Sequence, residues 1–353
     1  MKNIRVFLAS LLVAFCFGCF LTACTTEANN KNEKITVTDM LGDSIEINKN
    51  PSKVACVSRT TYDLLVAFGL GDKVDGAYYA IYDNPWTEVI YPASKDEYRY
   101  QYEESYETFI ARGVDLVFAP EKYISNGLKE HGINALCVSL YGNPTFDNYV
   151  YFFADLVKQL WDSKEVADKV DAWKAKVAKA IDDCKVDNEH SKKIFYVRGD
   201  KNKGIGYTDS KASFTEYAFR ILGYEFAGAM LDTTKPSKED IVRYNPDCFV
   251  IGGIYQNTLV EVLKSDEVYQ TLDAVKRNQI YTIPVGLTVF EQLSCMTPIF
   301  FYDMDNKLNS TTNQWNIQEL IKNTIKEYFG TTLSDIQIDY MMQGKGPTGD
   351  NLA

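Results

Sequence analysis

Apolar positions along the chain fall into three regimes. Val6 to Phe20 is a continuous apolar run behind Lys2 and Arg5. Residues 35–47 then alternate, Ile35-Thr36-Val37-Thr38-Asp39 and Ser44-Ile45-Glu46-Ile47 around Gly42-Asp43, the period-two pattern of a hairpin. From Val54 onward short apolar runs, Val54 to Val57, Val74 to Ala77, Val114 to Ala119 and Ala135 to Val138, are separated by helical stretches such as Thr61 to Phe68 and Ser125 to His131. Strands buried on both faces and separated by helices predict a parallel sheet in an α/β lobe. The second half repeats the pattern, with runs at Ile194 to Val197, Cys248 to Ile251 and Ile280 to Ile283, and helices at Ser213 to Leu222 and Ser237 to Tyr244.

Between the two halves, Val166, Val170, Trp173, Val177, Ile181 and Cys184 recur at spacings of three and four, which predicts one amphipathic helix over 162–184 with Asp162 and Glu165 as its capping pair. At about 1.5 Å per residue it is roughly 33 Å long. It has no glycine or proline. A stiff connector of this kind restricts hinge motion more than paired flexible strands would.

The halves also share an ungapped repeat. Ser105-Tyr106-Glu107-Thr108-Phe109-Ile110 is followed four residues later by Asp115-Leu116-Val117-Phe118, and Ser237-Lys238-Glu239-Asp240-Ile241-Val242 by Asp247-Cys248-Phe249-Val250. In each copy a serine is placed to cap a short helix feeding a buried strand, and Glu107 and Glu239 occupy equivalent positions.

The leading apolar run is short for a membrane span and has the layout of a secretory signal. It ends in Leu21-Thr22-Ala23-Cys24, which resembles the bacterial lipobox, so Cys24 is the expected acylated first residue and Thr25 to Lys34 a flexible tether. The expected organisation is a signal peptide over 1–23, a lipidated tether over 24–34, a lobe over 35–145, linking helices over 146–190 and a second lobe over 191–353. The lipid is the single expected membrane contact. A net charge of −11 with no basic cluster argues against nucleic acid. Cys16 and Cys19 leave with the signal, and Cys56, Cys137, Cys184, Cys248 and Cys295 form no CxxC or disulfide framework; those in strand-like runs read as core.

With these features in order, the chain closely resembles the periplasmic-binding-protein family that serves iron–siderophore, haem and cobalamin ABC importers. The resemblance is carried by the lipobox, by Ile35-Thr36-Val37-Thr38-Asp39, Gly42, Ile47 and Asn50-Pro51-Ser52-Lys53-Val54, by the helix-then-strand units, by the single linking helix, and by Ala274-Val275-Lys276-Arg277-Asn278-Gln279-Ile280-Tyr281. It spans essentially the whole mature chain. It implies two Rossmann-like lobes with mainly parallel sheets joined by one long α-helix, a ligand in the cleft between them, and a monomer that docks on the membrane subunits of an ABC importer. The family's docking glutamates, one on each lobe, match Glu107 and Glu239.

Ligands of open α/β sheets collect beyond the carboxyl ends of the strands. The residues there are Ser58, Arg59, Tyr78, Tyr79, Tyr82, Glu121, Lys122, Tyr123 and Tyr141 in the first lobe, and Arg198, Tyr207, Tyr255, Gln256 and Phe290 in the second. Aromatic faces and guanidinium forks suit a large, planar, anionic complex. An iron chelate such as a ferric siderophore is the first expectation, with haem, a cobamide or an oxyanion such as molybdate as alternatives. Arg59 and Arg198 each follow the opening strand of a lobe, and Arg198-Gly199 with Gly206-Tyr207-Thr208 is the strongest local cluster.

No direct metal ligand set and no cofactor is expected. His131 and His190 fall at a helix end and in a polar linker, and a haem would need a tyrosinate or Met296 as axial ligand. GxSxG, HExxH and GxxxxGK patterns are absent, which disfavours the competing reading of a lipid-anchored enzyme.

Overall fold

The structure is a computed structural model, and residues 33–139, 146–186, 192–200, 204–309 and 314–353 are described. Cys24, Tyr141 and His190 lie outside the described residues. The chain opens with the expected hairpin, β1 (Lys34–Thr38) against β2 (Ser44–Asn48), antiparallel with Val37 opposite Ile45. Its turn is held by Asp39, whose Oδ1 accepts the N–H groups of Leu41 and Asp43 and whose Oδ2 accepts that of Cys137.

The first lobe is a five-stranded parallel sheet, β3 (Val54–Cys56), β4 (Val74–Tyr78), β5 (Tyr98–Tyr100), β6 (Leu116–Ala119) and β7 (Ala135–Cys137), in the order β5-β4-β3-β6-β7. The second is a four-stranded parallel sheet, β8 (Lys192–Val197), β9 (Tyr224–Phe226), β10 (Cys248–Ile251) and β11 (Ile280–Thr282), in the order β11-β10-β8-β9. The α/β class and the seven strands read from the sequence are present. The two that the pattern did not show, β5 and β9, are edge strands of three residues each, Tyr-Arg-Tyr and Tyr-Glu-Phe. An edge strand buries one face, so its charged middle residue breaks the continuous apolar run that marks a central strand.

The internal repeat has a structural reason. The helices Tyr106–Arg112 and Lys238–Tyr244 are both seven residues long, both capped by the predicted serine, and both ended by a left-handed residue, Gly113 and Asn245. The aspartate that follows pins the start of the neighbouring strand. Asp115 Oδ2 accepts the N–H groups of Ser52 and Lys53 ahead of β3, and Asp247 Oδ2 accepts that of Lys193 in β8.

The connecting helix runs over Lys164–Cys184, 21 residues or about 31 Å, and buries Val166, Val170, Trp173, Val177, Ala180 and Cys184. Its cap differs from the expected pair. Ser163 accepts the Val166 N–H, whereas Asp162 reaches Lys49 and Glu165 pairs with Lys169 one turn on. Serine directly before the first helical residue places its hydroxyl over the free N–H groups, which Asp162, one residue earlier, does not. Trp173 packs edge-on against Phe68 of the first lobe and donates to Ser294 O, so the helix is fixed at mid-length as well as at its ends. Full burial of such a side chain stabilises by roughly 1.5–3 kcal/mol or more.

Residues beyond Ile283 touch both lobes, reaching the first as well as the second. Cys295 N–H donates to Asp63 Oδ1 at 2.7 Å, Thr331 Oγ1 to Ile90 O at 2.8 Å, and Trp86 Nε1 to Lys345 O at 2.7 Å. Asn84 Nδ2 donates to Gly286 O and Leu287 O. Loops that leave the carboxyl ends of β4 and β11 are thereby tied to each other, which puts the carboxyl ends of the two sheets on a shared side.

Candidate functional site

On the first lobe the wall is built strand by strand. Arg59 begins the helix after β3 and is exposed, with its guanidinium 5.0 Å from the centre of the Tyr78 ring, a cation–π contact. Tyr78 ends β4 and tilts against Tyr79 at 4.7 Å; burial pushes its hydroxyl pKa up. Among the described residues no carboxylate lies within ion-pair distance of Arg59. Tyr102, just past β5, meets Tyr78 edge-on at 5.8 Å and is 37% exposed. Tyr102 donates to Glu121, and Tyr123, 57% exposed, donates to Glu103 at 2.6 Å. These two reciprocal pairs lock the loops after β5 and β6 together. The bond to Glu103 pushes the Tyr123 hydroxyl up to about 12, so it stays protonated and its ring face, rather than an oxyanion, is what it offers. Lys122 is exposed beside Asp43 at 3.8 Å.

Other residues proposed from the sequence sit elsewhere. Tyr82 is half-buried, donates to Glu97 at 2.8 Å and packs against Tyr62, which places it behind the wall. Ser58 is buried and donates to Val138 O. Phe290 is fully buried in the main core and has no surface to present. Gln256 is also buried; its amide bonds both the N–H and the C=O of Ile283, doing for the end of β11 what a neighbouring strand would. Met296 is buried, and His131 is exposed, stacked on Tyr106 at 3.8 Å. Cys56, Cys137, Cys184, Cys248 and Cys295 are free and buried. Among the described residues no group of three His, Cys, Asp or Glu is placed to hold a metal ion, and no helix is long and apolar enough to cross a membrane.

The second wall has a different charge balance. Arg198 follows β8 and lies under Tyr207, 5.4 Å from the ring centre, as the cluster predicts. It is not a lone cation: Asp200 and Asp209 each stand 3.5 Å from it. Asp209 is held by Thr215, and burial pushes its pKa up. Gly199 and Gly253, both at positive φ, let the ends of β8 and β10 touch; a side chain on Gly199 would meet Gly252 O at 1.8 Å. Tyr255 is half-buried at the start of the helix after β10, with Ile254 exposed before it. Glu291 enters this region from the loop after β11. Its Oε1 accepts the Gly253 N–H at 2.6 Å, its Oε2 has no partner among the described residues, and burial pushes its pKa up to about 7.

Residues 115–285 match the family model described as periplasmic binding protein. Over that span the chain is similar to the periplasmic binding protein family. This is a family of substrate-binding transport proteins, not of enzymes. A curated relative, 24% identical over 305 residues, covers 81% of this chain and 91% of its own length; it is described as the uncharacterized ABC transporter substrate-binding lipoprotein YvrC of Bacillus subtilis (strain 168). Among solved structures, Helicobacter pylori CeuE in a Ni–His complex superposes with TM-score 0.69 at 15% identity, over 86% of this chain and 98% of that one. The molybdate-binding MolA of Haemophilus influenzae gives 0.67 at 14% identity, over 85% and 99%. These likenesses establish the periplasmic-binding-protein fold.

Sequence reasoning passed over four residues of the walls. Tyr102 and Met230 follow the two edge strands that the hydrophobic pattern did not reveal. Ile254 was within reach, since it lies three residues beyond a recognised strand. Glu291 carries no local signal; only the packing of the loop after β11 brings it to Gly253.

Proposed function

We propose that this protein is an extracytoplasmic lipoprotein, anchored through Cys24, that captures an iron chelate between its lobes and passes it to the membrane subunits of an ABC importer. The observation that carries the reading is the first wall: an exposed arginine without a carboxylate partner among the described residues, set against Tyr78 and flanked by Tyr79, Tyr102 and Tyr123. A fixed cation beside several aromatic faces suits a large anion with planar groups. A small hydrated oxyanion would gain little from the ring faces. The phenols of Tyr102 and Tyr123 are already committed to carboxylates, which favours a preformed chelate over direct ligation of a bare ion. The Bacillus subtilis relative is described as an ABC transporter substrate-binding lipoprotein, in keeping with the signal and lipobox read at residues 1–24.

Native mass spectrometry of the protein purified from its own host, with metal analysis of the same sample, tests the ligand. One iron with an organic mass retained per chain is the expected result; a retained oxyanion, or a metal-free organic ligand, overturns it.

Glu107 and Glu239 are both exposed in the first turns of the two repeated helices, equivalent in each lobe. The double substitution Glu107→Ala, Glu239→Ala is expected to lower uptake by whole cells at least about tenfold, the equivalent of losing one or two charge-assisted bonds, with ligand affinity unchanged. Normal uptake by the double variant removes the docking role.

A further inference from the structure

We propose that Met230 and Ile254 form an apolar subsite on the second wall that takes the organic scaffold of the chelate, while its anionic metal-binding head lies on Arg59 and the tyrosines of the first. This rests on the chelate reading above and adds an orientation to it. Large apolar side chains exposed to water on a folded chain need a reason when they gather. Among the described residues eight such side chains are conspicuous, and four of them, Tyr102, Tyr123, Met230 and Ile254, stand within a few residues of a strand's carboxyl end, two on each lobe. Met230 is 57% exposed and Ile254 38%.

Topology places the two on either side of Arg198. The order β10-β8-β9 sets the strands that lead into Ile254 and Met230 on either side of the strand that leads into Arg198. Backbone contacts confirm the neighbourhood. The Cβ direction of Gly253 points at Arg198 O, 2.8 Å away, and that of Gly228, two residues before Met230, points at Asp209 O.

Charge then decides which end of a ligand goes where. On the second wall, Arg198 is flanked by Asp200 and Asp209, so an anion arriving there meets as much repulsion as attraction. On the first wall no carboxylate among the described residues stands within ion-pair distance of Arg59. A ligand with an anionic head and an apolar or neutral scaffold therefore binds head-first to the first lobe. Methionine, unbranched and polarisable, adapts to scaffolds of differing shape.

Two iron(III) complexes of equal charge separate head from scaffold: iron with three free catechol molecules, kept in excess, and iron held by one molecule carrying three catechols on a macrocyclic backbone. Calorimetric titration of the wild-type chain is expected to show tighter binding of the scaffolded complex. Met230→Ser with Ile254→Ser should weaken that complex on the order of tenfold, the scale of two exposed apolar contacts, and leave the scaffold-free complex within about twofold. Met230→Leu with Ile254→Leu should restore the preference. The orientation is overturned if the serine variant loses affinity equally for both complexes or for neither. If the wild-type chain binds neither complex, the chelate reading itself falls, and the subsite with it. Both side chains are exposed, and circular dichroism checks that the variants remain folded.

Discussion

Arg59→Ala is expected to weaken binding of an anionic ferric catecholate by about 1.5–3 kcal/mol, the range for charge-assisted hydrogen bonds, and by more than Arg198→Ala. From the sequence the two arginines are equivalent, each following the opening strand of a lobe. The structure separates them. Arg59 is exposed against the Tyr78 ring without a carboxylate partner among the described residues, so its charge is available to a ligand. Arg198 stands between Asp200 and Asp209, and removing it leaves two carboxylates without their cation. Its loss should therefore show in stability as much as in affinity. Tyr207→Phe keeps the ring over Arg198 and should change affinity least of the three. Calorimetric titration of the three variants checks the order; equal affinity in Arg59→Ala and wild type would mean that the cargo is neutral or rests elsewhere.

Glu291→Gln is expected to remove a component of the pH dependence of stability. Burial raises the Glu291 pKa from its ordinary 4.5 to about 7, with Asp209 adding repulsion, while the Gly253 N–H and the Tyr196 hydroxyl act in the opposite sense. The sign follows from linkage. Below pH 4.5 the carboxyl is neutral in folded and unfolded chains alike and its burial is unopposed. As pH rises from there to about 7, the unfolded chain releases its proton first, and folding loses stability by an amount that reaches about 3 kcal/mol above the folded value. Glutamine has no proton to release. The stability of Glu291→Gln relative to wild type should accordingly increase by about 3 kcal/mol between pH 4 and pH 8, measured by denaturant unfolding. Asp63, pushed up to about 6 by burial, is present in both proteins and cancels in the comparison. Parallel pH profiles for the two proteins would show that Glu291 is not the neutral buried acid described above.

The hydrophobic pattern was enough for the architecture because central parallel strands are buried on both faces. Residues 248–251 and 194–197 read as apolar throughout for that reason, and both are strands. The repeat of serine, glutamate and aspartate was legible because each residue acts locally: the serine caps its own helix, and the aspartate bonds backbone at the next strand's start. The linking helix declared itself by a three-and-four spacing, and only its cap and one buried position, Ala180 in place of Ile181, moved.

The walls of the site were legible in part. Arg59, Tyr78, Tyr79 and Tyr123 emerge from a rule about strand ends, whereas Tyr102 and Met230 depended on edge strands that have no continuous apolar run to announce them. Phe290 and Gln256 also satisfy the strand-end rule, yet both are buried, because Phe290 packs into the main core and Gln256 turns inward to bond the backbone of Ile283 with Gly344 against it.

By itself the sequence determined two parallel α/β lobes, the helix between them, the paired glutamates and the aromatic, arginine-bearing character of the strand ends. All of these follow from interactions within a few residues or from burial that repeats along one element. Only the tertiary structure decided which arginine has carboxylates beside it, which aromatic residues remain in contact with solvent, and that a buried glutamate stands beside Gly253. Those outcomes depend on carboxylates and loops distant in sequence, such as Asp209 against Arg198 and Glu291 against Gly253, and distance through the chain carries no information about distance through space until the lobes have packed.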